Sequence, residues 1–268
     1  MRTTTNAAPL GVLGFIVLAL AALFPTSIYA VNTADCEIDN RFGTAERMIL
    51  AQACQLAVER MQSTEIRSKV SQLSGFASLS SSVMSRSHAT DTSESRWNLL
   101  GRQLATLSLP NGPYDSEPAF PNIYILYGSE APRGGGSGWL GRAYLDLVTV
   151  YWDSAQGEWK QKGKFVLTIN DYFVARGQRY SDPNDWAGTI AHEMLHNLGH
   201  SHPDSSDPNY SKFQINVLDA LVQNYGSEYK GTPWSLVADH SCEPAESPSA
   251  RTNQPLRITI NGRTITIE

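Results

Sequence analysis

Apolar residues recur along this chain with two periods, and each stretch predicts an element. Over residues 43–73, Ala45, Met48, Ile49, Ala51, Ala53, Leu56, Ala57 and Met61 return at steps of three and four, the spacing of a helix face. One long helix is expected there. Residues 97–107 (WNLLGRQLATL) predict a short second helix. From residue 122 the period changes to two. NIYILYG alternates and is rich in β-formers, and 138–146, 148–152 and 164–169 predict further strands, the last following a turn at Gly157.

The helical period returns at 183–198. Asp182-Pro183-Asn184-Asp185 supplies an N-cap acid, proline at the first helical position and an acid in the first turn. Trp186, Ile190, Ala191, Met194, Leu195 and Leu198 form the stripe this helix should bury. Residues 211–225 predict another amphipathic helix on Phe213, Val217, Leu218, Leu221 and Val222, ended by Gly226. The chain finishes on RITINGRTITIE, two alternating runs around Asn261-Gly262, a strong hairpin signal. An isolated hairpin is marginal in water, so this one must dock on the main body.

The segments between these elements divide the chain. Residues 74–96 are serine-rich and read as a connection, and 243–255 read as a Pro/Ser/Glu-rich linker. Residues 1–30 read as a secretory signal peptide: Arg2, an apolar run of about fifteen residues over 10–24, then Pro25 and a cleavage site after Ala30. That run falls short of the roughly 20 residues a spanning helix needs. The expectation is a secreted or periplasmic protein with no stable membrane insertion after cleavage. The net charge of −5 and the absence of a basic run argue against a nucleic-acid partner. Export would oxidise two of the three cysteines, Cys36, Cys54 and Cys242. Two kinds of pairing are open. Cys36 with Cys54 would tie a local loop to the first helix; Cys242 with either would staple the C-terminal end to the N-terminal region, and that staple is preferred.

Four of the six histidines lie in HEMLHNLGHSH, residues 192–202. His192 and His196 are four apart, one above the other on a helix face, so both imidazoles can reach one metal ion. Glu193 lies between them, and HExxH is the signature of zinc-dependent hydrolases. Gly199 accepts a left-handed backbone, so the helix can end there and the chain can bring a third histidine back. Both His200 and His202 are near enough in sequence to be that third ligand.

The stretch resembles the metzincin pattern HExxHxxGxxH at all five fixed positions. The resemblance implies His192, His196 and His202 as ligands of a Zn²⁺ ion, with Glu193 as general base. It leaves His200 without an assigned role. It implies an α+β fold: a small mixed sheet, a backing helix, the HExxH helix, and a C-terminal helix and hairpin added to them. Residues 31–242 would be the catalytic domain, with 31–105 its helical N-terminal part or a propeptide, and 243–268 the linker and hairpin. Metzincins also place an antiparallel edge strand above the cleft, and the strand before the zinc helix, within 164–175, is the expected one. The implied activity is that of a secreted zinc endopeptidase acting on protein or peptide substrates. One family feature is absent. No methionine follows His202, the five being Met1, Met48, Met61, Met84 and Met194, so the family's methionine turn has no counterpart. Two alternatives stand beside this reading: a gluzincin-type peptidase using a downstream glutamate such as Glu228, and an inactive zinc-binding module. Tyr210 and Tyr225 also follow the motif and read as ordinary packing or surface residues.

Overall fold

A computed structural model describes residues 36–73, 82–83, 96–107, 123–130, 138–175, 182–203, 206–228 and 255–267, with 232, 235 and 237. The leader, most of the serine-rich connection, His88, His240, Cys242 and residues 243–254 of the linker lie outside the described residues. In chain order the elements are β1 (Cys36–Ile38), α1 (Thr44–Gln62), α2 (Thr64–Leu73), β2 (Ser82–Val83), α3 (Arg96–Leu107), β3 (Ile123–Gly128) and β4 (Gly141–Ala143). Then come β5 (Val148–Asp153), β6 (Glu158–Gly163), β7 (Phe165–Asn170), α4 (Asp171–Ala175), α5 (Pro183–Asn197) and β8 (His200–Ser201). A single 3₁₀ turn (Tyr210–Lys212), α6 (Gln214–Gln223), β9 (Leu256–Ile260) and β10 (Arg263–Ile267) complete the set. The class is α+β.

The main sheet has the order β1-β3-β7-β4. The first three strands run parallel, and β4 is antiparallel to β7. Strand β7 is therefore interior, which corrects the expectation of an edge strand within 164–175. Its sequence explains why. FVLTIN is apolar almost throughout, as a strand covered on both faces requires, and its burial bears this out. The edge position belongs to the short β4, which carries Gly141 and Arg142.

Helix α5 packs against β4 and β7, with α1 and α6 also packed on it. Trp186, Ile190, Ala191, Met194, Leu195 and Leu198 are all fully buried in this core, as the stripe predicts. The hairpin of β9 and β10 covers part of the other sheet face: Ile258, Ile260 and Ile267 pack with Tyr124 and Val166. Its turn uses positive φ at Asn261 (49°) and Gly262 (78°), the conformation that an Asn-Gly pair favours. Asn261 also binds β1, its amide donating to the Ile38 carbonyl at 3.1 Å.

Three local expectations change. The single helix over 43–73 is two, because Ser63 adopts an extended backbone and its hydroxyl accepts from the Ile66 amide at 3.1 Å, capping α2. Met48 faces solvent at 70 % exposure; the buried stripe of α1 is Leu50, Ala53, Cys54, Ala57, Val58 and Met61. Strand β6 (EWKQKG) went unanticipated, because its polar run carries no apolar alternation, yet it pairs with β5 along its whole length.

A disulfide joins Cys36 to Cys54, so the preferred staple through Cys242 is not formed. It ties β1 to α1. Replacing both cysteines with serine should lower the free energy of unfolding by about 3 kcal/mol, from the 18-residue separation of the pair. Denaturant melts of the variant check this, and a non-reducing peptide map should join the Cys36 and Cys54 peptides.

Candidate metal centre

Helix α5 begins as its sequence requires: the Asp182 side chain accepts from the Asn184 amide at 2.9 Å, and Pro183 follows. It ends where Gly199 takes φ 92°, with the Gly199 amide donating to the His196 carbonyl at 2.9 Å. That reversal brings the chain back as β8 and then His202. Asn197 anchors the helix end to the sheet. Its Oδ1 accepts from the Val166 amide at 2.6 Å, and its Nδ2 donates to the carbonyls of Tyr144 (2.8 Å) and Val166 (3.1 Å).

His192, His196 and His202 converge, with one nitrogen from each lying within 4.8 Å of the others. All three are at most 3 % exposed. Two of the rings are oriented from outside the cluster. His196 presents Nδ1 to the His200 carbonyl at 2.8 Å, and His202 presents Nδ1 to the Pro203 carbonyl at 2.6 Å. A neutral imidazole donating from Nδ1 keeps a lone pair on Nε2. His196 Nε2 is buried without a hydrogen-bond partner, and His192 Nε2 lies 2.9 Å from His202 Nε2. Nitrogens gathered this closely in a dry interior are suited to sharing a cation. The cluster can therefore hold a metal ion, and three imidazoles are a suitable donor set for a divalent transition metal.

His200 is not in the cluster. It is buried, with Nε2 2.7 Å from Gln103 Oε1, and its carbonyl orients His196. Gln103, on α3, also donates to the Leu198 carbonyl at 2.9 Å. Glu193 is fully buried beside β4: a Cβ placed on Gly141 would lie 2.6 Å from Glu193 Oε1. Asp219, on α6, sets Oδ2 3.5 Å from His192 Nδ1. Tyr210 is buried with its ring against His202, centroids 5.1 Å apart, whereas Tyr225 is exposed. Glu228 is exposed and lies outside the histidine cluster.

Sequence reasoning missed Gln103, Asp219 and the carbonyl of His200. Gln103 and Asp219 reach the site through helix packing, which leaves no local pattern. The nearest signal was β8 itself, two buried residues too short to read as a strand.

Burial holds the His196 imidazole well below its ordinary value of 6.5, and the neighbouring rings of His192 and His202 add to the effect. Because the folded-state value is depressed, the unfolded chain takes up the extra proton first. Stability of the metal-free protein should be full above about pH 7 and fall as pH drops below about 6.5. Thermal melts in chelator between about pH 8 and 5 measure this. A His196→Gln variant should show a shallower loss over the same range.

The chain matches no protein-family model, no curated protein and no solved structure, so the functional reading rests on its own residues.

Proposed function

We propose that this protein is an exported zinc-dependent endopeptidase of metzincin-like type. The observation that carries the reading is the buried convergence of His192, His196 and His202 with Glu193 on the same helix. Three protein ligands leave a coordination position open, whereas a structural zinc site is closed by four. Export is supported by the Cys36–Cys54 disulfide, and no helix among the described residues is long and apolar enough to cross a membrane.

A bound zinc would supply a Lewis acid that polarises the scissile carbonyl and acidifies water. The remaining work falls to the chain. Glu193 takes a proton from the attacking water and returns it to the leaving amine, so that the peptide bond breaks and no net proton is gained or lost. Strand β4 directs the substrate. Among the described residues it pairs only with β7, which makes it the sheet edge that an extended peptide would join. Gly141, on that strand, lies directly against Glu193. A peptide added to the edge would pass beside the general base. Tyr210, against His202, packs the outer wall of the centre.

Glu193→Ala should lower the cleavage rate of a denatured protein substrate by on the order of 10²- to 10⁴-fold, with zinc content unchanged. Chelation should abolish cleavage, and zinc should restore it. Cleavage by the variant at the wild-type rate would sink the mechanism. Gly141→Ala places a methyl group where the Glu193 carboxylate lies. A fall in kcat on the order of 10²-fold at full zinc occupancy is expected, whereas an unchanged kcat would show that β4 does not position the base.

A further inference from the structure

Each ring of the histidine cluster turns Nδ1 toward an oxygen, at hydrogen-bond distance for His196 and His202 and at ion-pair distance for His192, and these oxygens differ in charge. His196 and His202 face backbone carbonyls. His192 faces a carboxylate, that of Asp219, with Oδ2 3.5 Å from Nδ1. Asp219 is 3 % exposed on α6, a helix whose other buried positions are mostly aliphatic. An acid in such surroundings is costly unless something cationic compensates it.

The packing of α5 on α6 is shaped around this acid. Gly188 lies one turn before His192, on the same face of α5. A Cβ at Gly188 would meet Asp219 Oδ1 at 2.3 Å, Gln223 Cβ at 3.0 Å and the Asp219 carbonyl at 3.1 Å. The Asp219 carbonyl and the Gln223 Cβ are fixed by the backbone of α6, so they cannot swing aside. The bare α-carbon at 188 is what lets the carboxylate come this close. The approach distance places the carboxylate at His192, and the clearance at Gly188 admits it there.

We propose that Asp219 is a positioning residue for His192: its carboxylate accepts from Nδ1–H, fixes that tautomer, and so turns the Nε2 lone pair toward the metal. The inference rests on the metal-binding reading above. Carboxylates behind ligand histidines raise ligand basicity, and their loss weakens metal affinity. Charge strengthens the case. Three neutral imidazoles bring no charge, so a buried divalent cation would be left uncompensated by its ligands. The two buried carboxylates at the centre, Glu193 and Asp219, match its two positive charges. Glu193 would handle the proton of the attacking water, whereas Asp219 stands behind His192.

The test is zinc titration of the full chain against a competing chromogenic chelator, for wild type and Asp219→Asn. The variant should bind zinc about 10- to 100-fold more weakly. The second readout is the imidazole ¹H–¹⁵N spectrum of the zinc-loaded protein. Wild type should show His192 protonated on Nδ1, with its proton far downfield. In Asp219→Asn that signal should move upfield while those of His196 and His202 stay. A purely structural acid would not move one imidazole selectively. Affinity of the variant within about twofold of wild type, or His192 protonated on Nε2 in wild type, would overturn the proposal. If Asp219→Asn does not fold, the wild-type spectrum decides alone. Wild-type protein that takes up no zinc overturns the metal reading and this one together; zinc-binding wild type with an unchanged variant overturns this one only.

Discussion

Helix α5 is buried continuously from Trp186 to Asn197, so its polar side chains must find their partners inside the protein. That constraint organises the centre. Asn197 satisfies itself on β7 and on the strand segment after β4, and in doing so fixes the end of the helix. Gly199 then permits the sharp reversal that returns the backbone beside its own helix. The returning strand gives its first carbonyl to His196 and carries His202 into place two residues later. Each step removes a freedom that the imidazoles would otherwise have, and their lone pairs are left facing one another.

The outer elements support this arrangement at different distances. Helix α3 contributes Gln103, which holds both His200 and the carbonyl of Leu198, so the turn after α5 is braced from behind. Helix α6 contributes Asp219 across the gap left at Gly188. Helix α1 backs α5 and is braced in turn: Arg60 donates to the Val222 carbonyl at 2.7 Å and to Asn184, linking α1 to the end of α6 and the start of α5. The cation at a helix C-terminus also complements the helix dipole there. The disulfide fastens the other part of α1 to the sheet edge at β1.

Much of this was legible in the chain. Asp182-Pro183 and Gly199 delimit α5, the stripe from Trp186 to Leu198 is buried as its period demands, and Asn261-Gly262 makes its hairpin. These are local signals, in which a few adjacent residues determine a backbone state. The parts that were not legible depend on distance. Asp219 is one acid on a largely apolar helix, and nothing within α6 says that it faces a histidine 27 residues earlier rather than water. The edge role of β4 follows from strand order, which alternation alone does not encode. The cysteine pairing depends on where β1 settles against α1. Strand β6 owes its existence to β5 across the Gly157 turn, since its own residues are too polar to announce it. Helix α6 packs against α5 and sets the Asp219 carboxylate 3.5 Å from His192 Nδ1 from that side.

His192, His196 and His202 are placed so that together they can hold one metal ion. Counting zinc per chain by elemental analysis tests it most directly, on protein loaded with zinc and dialysed free of excess. One equivalent in the wild type, and loss of that equivalent in His202→Ala, is the result expected. A wild-type protein that emerges with no bound zinc, or a His202→Ala protein that retains a full equivalent, would contradict it.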